Sequence, residues 1–196
     1  PVVSLEPNTI ADIFDNISAV GELTGRAVEA RRVVDGLAAR LVALAAHLAT
    51  VERHPRTLML EWLEPPFAPG HWVPEQVAFA GGDSSFGRAG SKSVVTTAEE
   101  IQDYAPEVIV LVPCGYYTVD ILRALPGARL PAGWHDLPAV RGKEVWAMDA
   151  TSYFSRPGPR VVDGAEILAR ILHPEIFGAP DESEAARVDA ELMRTA

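Results

Sequence analysis

Cysteine is almost missing from this sequence. Cys114 is the single one in 196 residues, so no disulfide forms within the chain and a disulfide-stapled scaffold is excluded. Basic residues are scarce as well. Lys and Arg number 17 against 27 Asp and Glu, a formal net charge of −10. That balance excludes non-specific nucleic-acid binding, which needs cations to displace counterions, and polybasic attachment to an anionic membrane. Long hydrophobic runs are lacking too. The most apolar stretch, residues 41–51, is interrupted by His47 and falls far short of the ~20 residues a membrane-spanning helix needs. No signal peptide is recognisable. The chain begins at Pro1 rather than Met, which leads us to expect that residues were removed ahead of it.

What is present describes a globular chain. Hydrophobic residues make up 48 % and charged residues 22 %, enough for one good core, or one core plus a fragment of a second. Proline is abundant, 16 of 196 residues, where ~5 % is usual. The prolines fall between periodic segments, as turn formers in ordered loops.

Residues 1–5 (PVVSL) read as a short buried strand. Asn8-Thr9 offers a helix cap, and Ile10, Ile13, Phe14 and Ile17 have helical spacing, with a break expected around Gly21 and Gly25. Residues 27–49 carry the longest helical pattern. Ala30, Val33, Val34, Leu37, Leu41, Leu44, Ala45 and Leu48 form one apolar stripe. After residue 56 the pattern alternates. Residues 57–62, 107–112 and 144–149 read as strands, and 73–79, 97–104, 117–124 and 161–172 as helices, with 64–70 and 84–93 as loops. Residues 178–196 read as a polar tail, forming a short helix over 184–193 or fraying.

Such alternation predicts an α/β fold with a mostly parallel sheet. A strand–helix pair standing alone before a very long helix is unusual for one domain. The expected division is therefore residues 1–26 as the remnant of one lobe, 27–55 as a spanning helix, 56–177 as a complete α/β lobe, and 178–196 as the tail.

In open parallel sheets ligands bind beyond the carboxyl ends of the strands. Seven aromatics fall just after the three strands: Trp62, Phe67, Trp72, Tyr116, Tyr117, Tyr153 and Phe154. Singly, each suits the core. Clustered on proline-stiffened loops, they suit walls for a large, flat, partly apolar ligand. Arg156 and Arg160 flank a Pro-Gly-Pro turn. Arg156 suits a ligand carboxylate or phosphate, and Arg160 equally suits a pair with Asp149 or Asp163. The histidines (47, 54, 71, 135 and 173) show no zinc spacing. His71, beside Trp72, reads as a hydrogen-bonded surface residue or as a contact to a metal carried inside a ligand. Cys114 in VPCGY lacks the glycine framework of a nucleophile elbow and reads as a buried, inert thiol. The glycines around 81–90 lack phosphate-loop order. Glu99 and Glu100 are neighbours on a helix and point apart, which argues against a shared catalytic role.

Three segments carry a resemblance: WLEPPFAPGHWVPEQVAFAGG over 62–82, TTAEEIQDYAPEVIVLVPCGY over 96–116, and GWHDLPAVRGKEVWAMDATSYFSRPGPRVVDGAEILARILHPEIF over 133–177. Together they resemble the carboxyl-terminal lobe of periplasmic binding proteins with a helical backbone, in particular the cobalamin-binding branch. These are solute-capture subunits of ABC importers for cobalamin, haem and ferric siderophores. The resemblance implies two Rossmann-like lobes joined by one long helix, with the first part of the amino-terminal lobe not in this chain. It implies a non-enzymatic role, no intrinsic cofactor, and a cobalamin-like or other metal-chelate ligand in the cleft between lobes. By position, the implied ligand contacts are Pro66, Phe67, Trp72, Tyr153, Phe154 and Arg156, and His71, beside Trp72 in the strand-end loop, joins them as a candidate contact. Cobalamin binders often carry an Asp ahead of the aromatic pair, where this chain has Ser152. Glu99 matches the surface glutamate that docks on permease arginines. The implied location is extracytoplasmic, with a cytoplasmic location left open, and the alternative function is a soluble corrinoid- or metal-handling accessory protein or enzyme of the same fold. Self-association through surface bared by the missing lobe is a further expectation.

Overall fold

The computed structural model describes residues 2–193. Pro1, part of the expected first strand, and residues 194–196 of the tail lie outside the described residues. The expected strand does not form. Val2 is fully exposed and Val3 half-exposed, and residues 2–7 take no regular structure. An extended run becomes a strand only when a neighbour takes its N–H and C=O groups, and no described strand lies beside this one.

Helix α1 (Ile10–Leu23) starts where Thr9 and Asp12 form a reciprocal capping box, which satisfies two otherwise orphaned amides. It runs through Gly21 rather than breaking there. An added Cβ at Gly21 would collide with the Ala30 side chain, so this glycine lets α1 and the next helix pack closely. The actual break is Gly25, at φ 69°. Helix α2 (Ala27–Leu48) has 22 residues and is about 33 Å long at 1.5 Å per residue. Ala30, Leu37, Leu41, Leu44 and Leu48 of its stripe are buried. Val33 and Ala45 are not.

The chain continues through β1 (Thr57–Leu60), β2 (Trp62–Leu63), β3 (Pro66–Ala68), α3 (Val73–Phe79), β4 (Val94–Val95), α4 (Ala98–Tyr104), β5 (Val108–Leu111), α5 (Thr118–Ala124), α6 (Pro138–Arg141), β6 (Val145–Met148), α7 (Ala150–Tyr153), α8 (Arg160–Leu172), α9 (Pro174–Phe177) and β7 (Ala185–Arg187). The main sheet has the order β1-β5-β6-β7. β1 pairs with β5 and β5 with β6 in parallel, while β7 closes one edge antiparallel to β6. This is a mixed α/β fold with a mainly parallel sheet, as the alternating pattern predicts.

The tail is thus neither helix nor frayed end over 185–187. Its strand is anchored by the Arg187 guanidinium, 4.5 Å above the Trp146 ring and 2.9 Å from a Glu144 oxygen. A second, three-stranded sheet has the order β2-β3-β4, and its middle strand occupies residues expected to be loop.

Side chains alternate across the main sheet with the strand period of two. Met59, Val108, Val110 and Met148 face a core shared with α2, α3 and α8. Leu58, Leu60, Ile109, Leu111 and Val145 face the other core, with Ile101 of α4 and Ile121 of α5. The long helix is tied to the first side by more than packing. Arg40 of α2 donates to both oxygens of Glu166, at 2.9 and 2.6 Å, and to Asp163 at 2.6 Å, both on α8. Asp163, expected as an alternative partner for Arg160, is therefore engaged by Arg40. Among the described residues no helix is long and apolar enough to cross a membrane.

Candidate functional site

The carboxyl ends of β1, β5 and β6 meet around a cavity of about 370 Å³, lined by Pro7, Glu61, His71, Trp72, Val73, Ser93, Val112, Cys114, Phe154, Ser155 and Pro157. Each strand contributes its continuation. Glu61 follows β1, Val112 and Cys114 follow β5, and the segment beyond β6 brings Phe154 and Ser155. Pro7, just before α1, reaches the rim from the amino-terminal side.

Local geometry sets each wall. The β2–β3 hairpin turns at a cis Glu64–Pro65 bond and delivers the chain to Gly70. A side chain at Gly70 would collide with the backbone of residues 91–93. His71 then adopts φ 50°, a left-handed conformation uncommon for a non-glycine residue. It is held by its N–H to Ser91 O at 2.5 Å and by Gly90 N–H to its own carbonyl at 3.0 Å. Trp72 is buried, and its indole N–H donates to Phe154 O at 3.0 Å. That bond joins the wall after β3 to the wall after β6.

Two polar residues hold the site, and neither was singled out from the sequence. Gln76, on α3, is fully buried. Its amide nitrogen donates to Tyr153 O at 3.0 Å and Val161 O at 2.7 Å, pinning both ends of the 154–160 loop. Its Oε1 has no partner among the described residues. Glu61 takes the Gly70 N–H at 3.2 Å and a hydrogen bond from the Ser93 hydroxyl. Burial pushes its carboxyl above the ordinary range, while the Ser93 and Gly70 donors and the nearby His71 pull the other way. A lone Glu or Gln in a sequence gives no sign of such burial, because its partners lie up to 85 positions away.

Of the sequence-expected contacts, the cavity brings together His71, Trp72 and Phe154. Pro66 and Phe67 lie on β3, with Phe67 paired across to Trp62 and Val95, outside the cavity lining. Tyr153 ends α7, also outside it, with its phenol pushed above its ordinary range by burial first and by nearby acids second. Arg156 is exposed between the lining residues Ser155 and Pro157. Cys114 corrects the expectation of a buried thiol: it is exposed and lines the cavity, because the chain leaves β5 through Pro113 into an open turn. Glu99 is exposed in the first turn of α4. Its neighbour Glu100 instead turns back, accepting from Thr97 N–H at 2.9 Å and the Thr96 hydroxyl at 2.7 Å, and those donors hold its carboxyl below the ordinary range. Among the described residues no three His, Cys, Asp or Glu side chains converge as a metal-binding group.

Residues 1–151 match the family described as periplasmic binding protein, and the chain belongs to that family. Solved structures agree in fold. A possible iron-binding, periplasmic solute-binding protein of Staphylococcus epidermidis superposes with a TM-score of 0.69 at 17 % identity, over 88 % of this chain and 66 % of that one. The periplasmic vitamin B12 binding protein of Vibrio cholerae gives 0.67 at 22 %, over 87 % and 64 %. A periplasmic heme-binding protein of Roseiflexus gives 0.68 at 19 %, over 85 % and 64 %. The chain thus spans just under two thirds of the length of these solved chains. A search of the curated proteins finds no match.

Proposed function

We infer that this chain forms part of the solute-binding component of an ABC importer, capturing a corrinoid-like or other large metal chelate and handing it to a membrane permease. The observation that carries the reading is the cavity at the carboxyl ends of the three parallel strands, with apolar and aromatic walls and few polar groups. Its size is within the ~300–1,000 Å³ range of small-molecule pockets. Burial of a flat apolar ligand edge there is worth ~25 cal/mol per Å².

The charge of the wall narrows the chelate. Its ionisable lining groups are Glu61, His71 and Cys114, with no Lys or Arg, which favours a neutral or cationic chelate core. Arg156, at the rim, is the proposed contact for an anionic edge. His71 is the proposed ligand-facing imidazole, and Trp72 and Phe154 the proposed aromatic walls. Pro66, Phe67 and Tyr153 belong to the proposed contact set through the family resemblance and not through the cavity lining. Glu99 is the proposed permease contact, and the proposed location is extracytoplasmic.

The test is a titration of the longer protein with cobalamin and with neutral ferric hydroxamates. Replacing Trp72 or Phe154 with Ala weakens binding at least tenfold on this reading, and unchanged calorimetric affinity in both variants sinks it. One observation favours a second reading, a metal-handling accessory protein: Cys114 is exposed on the cavity wall. That reading requires thiol alkylation to abolish metal or corrinoid binding, whereas the importer reading predicts that the Cys114→Ser variant binds as well as the native protein.

A further inference from the structure

A second hollow lies directly behind the first. It measures about 210 Å³ and is lined by Trp62, Leu63, Glu64, Pro113, Tyr116, Ile121, Ala124, Leu125 and Ala128. The two share no lining residue but alternate along the same two chain segments. Glu61 faces the first and Trp62 the second, and Cys114 faces the first and Pro113 the second. The ridge between them is one residue wide on each segment, or ~3.8 Å between consecutive Cα atoms. The Cys114 N–H to Glu61 O bond, 3.2 Å, ties its two halves together.

The crest of that ridge is open. Cys114 and Gly115 are exposed, and a Cβ added at Gly115 meets nothing within 4 Å. The floor of the second hollow is apolar, with Ile121 and Leu125 both buried. Its walls are two rings, Trp62 and Tyr116, set edge to face at 5.8 Å and 81°. Trp62 is still 38 % exposed, so aromatic surface remains available there. Its indole N–H is already spent on Glu64 O at 3.1 Å, which fixes the ring and removes its only donor. A site of this kind rewards a flat apolar group rather than a hydrogen-bonding one. Its volume lies below the ~300 Å³ lower bound for drug-sized pockets and suits a single ring.

We propose that the second hollow is a subsite for one planar aromatic ring, carried as an arm by the metal chelate whose centre occupies the first cavity. This rests on the metal-chelate reading above and gives it a substrate class: chelates with an aromatic substituent reaching across the Gly115 crest. The ring packs against the exposed faces of the Trp62–Tyr116 pair, over Ile121 and Leu125, while the metal centre stays with His71 and Phe154.

The test uses two neutral, diamagnetic complexes of identical coordination, gallium tris(acetohydroxamate) and gallium tris(benzohydroxamate), with indole as a free-ring probe. Each is titrated into the full chain and into the Ala124→Leu variant, whose exposed, helix-compatible position puts a larger side chain into the hollow. Chemical shifts of the Trp62 indole N–H and the Tyr116 amide are followed. The expected result is at least tenfold tighter binding of the benzoyl complex than the acetyl complex, shifts at Trp62 and Tyr116 with the benzoyl complex and indole only, and loss of that tenfold gain in Ala124→Leu. Equal affinity of the two complexes, or unmoved Trp62 and Tyr116 signals, overturns the proposal. If indole shifts Trp62 but neither complex binds anywhere, the metal-chelate reading fails and the arm assignment falls with it. If both complexes shift His71 and Phe154 equally and Trp62 stays still, only the subsite falls.

Discussion

Gln76 offers the sharpest perturbation. Its amide nitrogen is the partner of two backbone carbonyls, Tyr153 O at 3.0 Å and Val161 O at 2.7 Å, and its own Oε1 is buried without a partner among the described residues. Gln76→Leu leaves Tyr153 O without its donor, at roughly 1–3 kcal/mol, and takes a second donor from Val161 O, which lies within helix α8, at roughly 0.5–1.5 kcal/mol. It also removes the unpaired Oε1, which returns roughly 1–3 kcal/mol by the same rule. The net loss is about 1 kcal/mol, from a side chain with no distinguishing mark in the sequence. The loss falls on the loop that carries Phe154, Ser155 and Pro157 to the cavity. Urea unfolding followed by circular dichroism gives the global value, with the slope on denaturant unchanged if the transition stays two-state. Amide exchange at Phe154 and Ser155 gives the local one. Chelate binding weakens in parallel, because the loop loses its fixed position. A Gln76→Leu protein as stable as the native one, within ~0.5 kcal/mol, with unchanged exchange at Phe154, refutes the reasoning that these two bonds hold the site.

Other expectations follow from the same geometry. Arg40→Met removes the forked bond to Glu166 and the bond to Asp163. Because all three groups are partly exposed, we expect a loss of only about 1 kcal/mol, shrinking in 1 M salt, and a salt-independent loss contradicts it. Trp72→Phe keeps a ring but leaves Phe154 O without its donor, at a cost of about 1–2 kcal/mol read by thermal unfolding. Glu61 has a folded-state value raised above its ordinary 4.5, chiefly by burial. Its contribution is therefore fully present below 4.5 and declines as pH rises through the raised value. Glu61→Gln flattens stability against pH in that window, and an unchanged slope in urea titrations at several pH values rules out this assignment.

Much of the fold was legible because it depends on periodicity. The buried runs after residues 57, 107 and 144 became the parallel strands, and the stripe from Ala30 to Leu48 became the buried face of α2. The failures have tertiary causes. The apolar run at residues 2–5 has no strand to pair with among the described residues. Residues 185–187, Ala-Ala-Arg in a polar tail, favour helix over strand by propensity, and pairing with β6 and the Arg187–Trp146 contact decide otherwise. The β2–β3 hairpin hid behind Glu64-Pro65-Pro66, where prolines mask strand propensity. Gly21 looked like a helix break, but the close approach of Ala30 made it a packing position. For the candidate site, position after the strands points to His71, Trp72 and Phe154, which line the cavity. It missed Glu61, Ser93 and Gln76, whose roles depend on partners remote in sequence, and it misjudged Cys114, whose exposure is set by the turn after β5.

The central claim is that the strand-end cavity binds a metal chelate. It is tested most directly by titrating cobalamin, a diamagnetic cobalt chelate, into the isotopically labelled chain and mapping the shifted signals. The chain spans about two thirds of its structural neighbours, so weak binding, with Kd on the order of 1 mM, is sufficient. The account predicts saturable shifts at the Trp72 indole N–H and at the amides of His71, Cys114 and Phe154, absent in the Phe154→Ala variant. Saturable shifts confined to other surfaces, or none at millimolar cobalamin or at a millimolar gallium hydroxamate, would contradict it.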